Sequence, residues 1–138
     1  MVKTYTLQLS TKGNSEITDI TPQIARALLA AKLASGTVTV FCPGSTAGVT
    51  TIEFEPGAVA DLRACFERIA PEDLTYQHEL RWHDGNGHSH VRASLLGPSL
   101  TVPFSDGKLL LGTWQQIILV DFDNRPRQRE VVLQFVGE

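Results

Sequence analysis

Polar and apolar residues alternate at the start of the chain. Val2, Thr4, Thr6 and Gln8 fall on one side, and Lys3, Tyr5, Leu7 and Leu9 on the other. That period of two predicts a half-buried strand, followed by a turn at Lys12-Gly13-Asn14. The period then changes. Ile24, Leu28 and Ala31, flanked by Ala25 and Leu29, repeat as on a helix that Thr21-Pro22 opens and Ser35-Gly36 ends. Thr37 to Cys42 is rich in β-branched residues and predicts a buried strand. Pro43-Gly44 is a turn. From Gly48 to Glu55 the alternation returns, with Val49, Thr51, Glu53 and Glu55 on one face and Thr50, Ile52 and Phe54 on the other.

A second helix opens at Pro56-Gly57. Val59, Leu62, Phe66 and Ile69 form its core-facing stripe, and Ala70-Pro71 closes it. Residues 72–87 are irregular, and His88 to Leu96 predicts a short helix ending at Gly97-Pro98. The rest reads as strands over 99–104, 108–111, 115–122 and 130–136, separated by turns at Ser105-Asp106-Gly107 and Asp123-Asn124-Arg125-Pro126. Consecutive strands joined by short turns predict hairpins. The expected fold is therefore α+β, with a mostly antiparallel sheet or sandwich, two main helices and one short helix.

Composition narrows this picture. A chain of 138 residues is expected to form one domain that buries roughly two-thirds of its unfolded surface. A net charge of -3 gives no general nucleic-acid-binding surface. The opening MVKTYTLQLS lacks the apolar core of a signal peptide, and no stretch approaches the ~20 apolar residues of a membrane helix. The expectation is a cytoplasmic protein with neither nucleic acid nor membrane as a partner. Cys42 and Cys65 lack CxxC spacing and are expected as buried free thiols.

The counts hold one irregularity. All four histidines lie between His78 and His90, within YQHELRWHDGNGHSH. This stretch breaks the hydrophobic period and is rich in groups that move protons or bind metals. His88 and His90 share a face on a strand but diverge by about 200° on a helix. The helix expected here weakens a joint-ligand reading, and a loop leading into it restores one. Asp84, Asn86 and Tyr76 strengthen the case for a metal or acid–base site, against a surface loop or structural histidines.

Three further stretches bear on chemistry. Glu53 stands among Thr, Val and Ile as either an exposed carboxylate or a site group. The small-residue turn from Pro43 to Gly48 lacks a Walker pattern, so nucleotide binding is unsupported. In Gly112-Thr113-Trp114-Gln115, Trp114 is expected in the core with Thr113 and Gln115 outward; the alternative sets those two at a pocket. Arg125, Arg127 and Arg129 are expected to be solvated or to touch another subunit, with phosphate binding the rarer use.

STAGVTTIE, YxH, NGHSHVRASLLG, GTWQQIILVDFD and the terminal VGE together resemble the YjbQ (UPF0047) family, the secondary thiamine-phosphate synthases. The resemblance spans nearly the whole chain, and the paired motifs HSHVRASLLG and LGTWQ are its most specific part. It implies a compact α+β fold, a homotrimer, and a weak, secondary thiamine-phosphate synthase activity on phosphorylated small molecules. By motif it implies Glu53, His78 and His90 as catalytic groups. Thr50, Asp84, Asn86, Thr113 and Gln115 become expected substrate contacts, and His78, His88 and His90 candidate metal ligands. A divalent cofactor would be zinc rather than magnesium, because no carboxylate-rich site is visible. The chain departs from the family at Gly44-Ser45, where many members carry a histidine, and at Ile52, where an Asn usually precedes the glutamate. His88, which many members lack, is the expected replacement for that histidine. A zinc-dependent hydrolase and a non-catalytic binding trimer remain the alternatives.

Overall fold

The computed structural model describes residues 1–138. Twelve elements follow in order: β1 (Val2–Thr11), β2 (Glu16–Asp19), α1 (Thr21–Ala31), β3 (Gly36–Phe41), β4 (Ala47–Ile52), α2 (Pro56–Ile69), α3 (Gln77–Trp82), α4 (Gly87–Leu96), β5 (Ser99–Ser105), β6 (Lys108–Leu109), β7 (Gln116–Asp121) and β8 (Arg127–Gly137). They form two antiparallel sheets. The larger has the order β1-β8-β3-β5-β6, and the smaller β2-β7-β4. The expected α+β architecture is therefore present.

The apolar run Ile117-Ile118-Leu119-Val120 explains how the layers stack. A strand whose central residues are all apolar must be covered on both faces. Ile117 and Leu119 point into the main core with Val38, Val40, Leu133 and Phe135 of the large sheet and Ile24 and Leu28 of α1. Ile118, Val120 and the following Phe122 meet Phe66 of α2 and Ala93 of α4 in a second core. Strand β7 thus separates the two cores, and its Asp121 end reaches the histidine-bearing segment.

Several expectations need correction. The strand from Gly48 ends at Ile52, and Glu53 to Glu55 leave the sheet. Pro56 is pre-organised to start a helix, and the Glu55 carboxylate caps α2 by accepting from the N–H groups of Gly57 and Ala58. Ile69 is exposed because it lies about 60° around α2 from buried Phe66, at the margin of the stripe. Helix α1 stops at Ala31, with Lys32 in the left-handed conformation, one turn before Ser35-Gly36. The segment expected to be irregular contains α3. That helix is under two turns long and buries none of its residues, so it leaves no hydrophobic period to read. Strand β2 is likewise too short to show alternation.

Trp114 is 71% exposed, not in the core, because β7 begins only at Gln116 and Gly112 to Gln115 form a surface turn. The arginines also differ from expectation. Arg129 is buried and Arg127 half-buried, each paired with an aspartate. Both cysteines are free; Cys42 is fully buried and Cys65 partly so. Burial pushes the Cys42 thiol up, against the pull of Arg129.

Candidate metal or acid–base site

Three side chains from the histidine-bearing segment converge. His78, Asp84 and His90 each offer a donor atom, and these atoms lie within 4.8 Å of one another. The imidazole rings of His78 and His90 have centroids 4.4 Å apart. His78 Nε2 lies 3.1 Å from Asp84 Oδ1 and 3.2 Å from Oδ2.

Each group is held from behind. His83 ends α3 with φ 52°, which turns the chain so that Asp84 comes back against His78. Asp84 Oδ1 accepts from the Asn86 N–H at 3.1 Å, and its carbonyl accepts from Asn124 Nδ2 at 2.6 Å. Burial pushes the Asp84 carboxyl up, but the bonds from Asn86 and His78 outweigh it and hold the group below the usual carboxylate range. His90 Nδ1 donates to the Ser45 carbonyl at 3.1 Å. That bond selects the tautomer whose Nε2 lone pair is free, the arrangement that prepares an imidazole for a metal.

Gly87 sets the start of α4. A Cβ there would strike the Tyr76 side chain, so only glycine lets the helix approach α3 this closely. The Gly87 N–H donates to Glu79 Oε1 at 2.7 Å, which ties α4 to α3 and so His90 to His78. Beside His90, Gly44, Ser45, Ala47, Ala93 and Ser94 line a cleft of about 230 Å³.

His88 does not join this group. It sits on α4, where two residues turn the direction by about 200°, so it points away from His90. Only 3% exposed, it packs near Tyr76 and Arg92, with ring centroids 6.5 Å from Tyr76. Burial, aided by Arg92, lowers its pKa and keeps it neutral. The donor set expected as His78, His88 and His90 is thus gathered as His78, Asp84 and His90. His83 is exposed.

The other expected site residues lie elsewhere. Asn86 is buried, and its amide bonds to Asp123, Ser89 and the Asn124 N–H, which makes it the joint between the Asp84 loop and the turn after β7. Thr50 is half-buried in β4, opposite Ile118. Gln115 donates to Thr51 Oγ1 at 3.2 Å and accepts from the Gly112 N–H, and Thr113 is exposed beside it. Glu53 is exposed just past Ile52. Thr50, Glu53, Thr113 and Gln115 lie toward the Ile52 end of β4, whereas Ser45 and His90 lie at its Ala47 end. Six strand residues span about 20 Å, so Glu53 and the histidines lie far apart within one chain.

A polar network lies behind the cluster. Asp121 receives Arg129 bidentately, Nε to Oδ2 at 2.7 Å and Nη2 to Oδ1 at 2.9 Å. Thr46 bridges Arg129 Nη2, at 2.6 Å, and Asp123 Oδ2, at 2.9 Å. Hydrogen bonding to Asp121 raises the Arg129 pKa. A signal for this network existed. Asp121 and Asp123 repeat at period two before the turn, and Arg127 and Arg129 repeat at period two after it.

The family model described as UPF0047 protein YjbQ-like matches residues 5–138. The chain belongs to the YjbQ family. It is 38% identical to a UPF0047 protein of Archaeoglobus fulgidus, covering 93% of this chain and 97% of that one. It is 35% identical to the UPF0047 protein YugU of Bacillus subtilis, over 96% and 98% of the two chains. A YjbQ-like fold is also found in solved structures. One is a Sulfolobus solfataricus protein described as YbjQ-like and of unknown function, with TM-score 0.90, 28% identity and full coverage of both chains. Another is a YjbQ/UPF0047 family protein of Clostridium acetobutylicum, with TM-score 0.88, 34% identity and coverage of 96% and 99%. No helix is long and apolar enough to cross a membrane.

Proposed function

We propose that His78, Asp84 and His90 hold one divalent metal, and that this centre acts on a small molecule bound beside it. The observation that carries the reading is the convergence of three donor atoms within 4.8 Å, two of them imidazole nitrogens. Two nitrogens and one carboxylate oxygen suit zinc better than magnesium, which favours oxygen ligands and retains its waters. Bound zinc would supply a Lewis acid and a water of lowered pKa. The chain's own residues do the rest. Ser45 fixes the His90 tautomer, Asn86 aims Asp84, and Asp84 lies within hydrogen-bond distance of His78. A hydrolytic or group-transfer reaction fits these parts. Thiamine-phosphate synthesis, which the resemblance implies, is then a secondary reaction. Pyrophosphate departure asks for strong cationic stabilisation, and the cluster is not the carboxylate-rich site that magnesium would need for it.

The homotrimer belongs to the same proposal. Glu53, Thr113 and Gln115 are exposed and lie about a strand's length from the histidines of their own chain. Assembly of three copies offers a way for one copy to bring that end of β4 to another's metal centre.

The test is metal analysis of full-length protein expressed with added zinc. One zinc per chain is expected, with none in the His78→Ala/His90→Ala double variant. Metal-free wild-type protein would overturn the reading. Small-molecule binding that survives Glu53→Ala and His90→Ala would favour a non-catalytic binding protein instead.

A further inference from the structure

The turn between β7 and β8 forms a second cleft, of about 160 Å³, lined by Asp84, Asn86, Asn124, Arg125 and Arg127. It contains no apolar side chain and shares Asp84 with the histidine cluster. That volume leaves room for a phosphoryl group.

The two arginines are held by a single buried carboxylate. Arg127 Nε donates to Asp123 Oδ2 at 3.0 Å, which fixes the guanidinium and leaves both Nη groups without an acceptor in the chain. The Arg125 backbone N–H donates to Asp123 Oδ1 at 3.2 Å, while its guanidinium has no acceptor within the chain. Asn124 is fixed by its bond to the Asp84 carbonyl. A guanidinium pinned along one edge presents its remaining N–H groups as a planar fork, which matches the oxygens of a phosphate.

Charge must also balance. Asp123 is already matched by Arg127 and by Arg129, whose Nη2 lies 3.8 Å away. The one other carboxylate on the cleft is Asp84, and it is engaged by His78. Arg125 is then left with no counter-charge.

We propose that Arg125 and Arg127 bind the phosphoryl group of the substrate, next to the reaction centre at His78, Asp84 and His90. This adds an arginine subsite to the reading above, and it rests on that reading only for where the reacting atoms lie. The arginine cleft itself requires no metal.

The test is calorimetric titration of inorganic phosphate into the full-length chain, with and without one equivalent of zinc, using acetate as the carboxylate control. One phosphate per chain is expected, with acetate at least about tenfold weaker. Arg125→Gln is expected to weaken phosphate binding about tenfold. Arg125 is exposed and unpaired, so this variant keeps the fold. Arg127→Gln, checked for folding by circular dichroism, is expected to weaken binding as well. Absence of phosphate binding in both metal states would overturn the proposal. So would wild-type affinity in Arg125→Gln, or acetate binding as tight as phosphate. Arg125-dependent phosphate binding to a chain that takes up no zinc would support this subsite and contradict the metal reading. Zinc uptake without Arg125-dependent phosphate binding would do the reverse.

Discussion

The Arg129–Asp121 pair and the His78–Asp84–His90 cluster are joined through Asn86 and through the Ser45-Thr46 turn, yet one is closed and the other open. Around Arg129, the carboxylates are buried and engaged, and Thr46 fills the space between them. Around His90, one ring nitrogen is tied to a carbonyl and the other is left free beside a cleft. A saturated network in a low-dielectric interior fixes geometry and has nothing left to offer a ligand. An unsaturated cluster at the surface retains its donors. The first therefore reads as a mount for the second: Asp123 holds Asn86, and Asn86 holds Asp84.

Breaking the mount has the largest expected effect. Asp121→Asn removes the bidentate carboxylate from the buried Arg129 and leaves it only Asp123, 3.8 Å away, and is expected to cost about 3–5 kcal/mol in urea unfolding. Loss below about 1 kcal/mol would mean the network is not closed. Acid should act on the same network. Burial pushes the Asp123 carboxyl up, but hydrogen bonds from Asn86, Thr46 and Arg127 outweigh it and hold it low. Its folded pKa is thus below the unfolded value of about 3.9. The stability it contributes is fully present above the unfolded value and is lost as pH falls through the folded one. Unfolding free energy measured from pH 6 to 2 should drop over that range, and the drop should shrink in Asp123→Asn.

Filling the open cluster comes next. Zinc at 100 times its dissociation constant should stabilise the chain by about 2.7 kcal/mol. The rise in melting temperature should vanish in the His78→Ala/His90→Ala variant. An equal rise in that variant would place the metal elsewhere.

The sequence made these two regions unequally legible. Strand β7 was legible as β because four apolar residues in a row can only be a covered strand or buried helix, and β-branched residues favour the strand. His78 and His90 stood out by composition and motif. Asp84 stood out beside them as a substrate contact, but its place as the third donor depends on the left-handed turn at His83, which no periodicity reports. His88 misled in the opposite sense, since its adjacency to His90 in sequence becomes opposition on a helix. The arginine network was missed because exposed and buried arginines look alike until the aspartates facing them across the turn are recognised.

Two smaller changes sharpen the contrast. Gly87→Ala drives a methyl group into Tyr76 and is expected to cost about 1–3 kcal/mol. It should weaken zinc binding as well, because α4 carries His90. Glu55→Ala removes the cap of α2, away from both centres, and should cost about 1 kcal/mol with zinc affinity unchanged. A change in zinc affinity there would show that the cluster depends on more of the fold than its own mount.

The most direct measurement is anomalous diffraction at the zinc edge from crystals of the zinc-loaded protein. One peak per chain is expected, about 2.0–2.2 Å from a nitrogen of His78, a nitrogen of His90 and an oxygen of Asp84. No peak there, or one ligated by His88 instead, would contradict it.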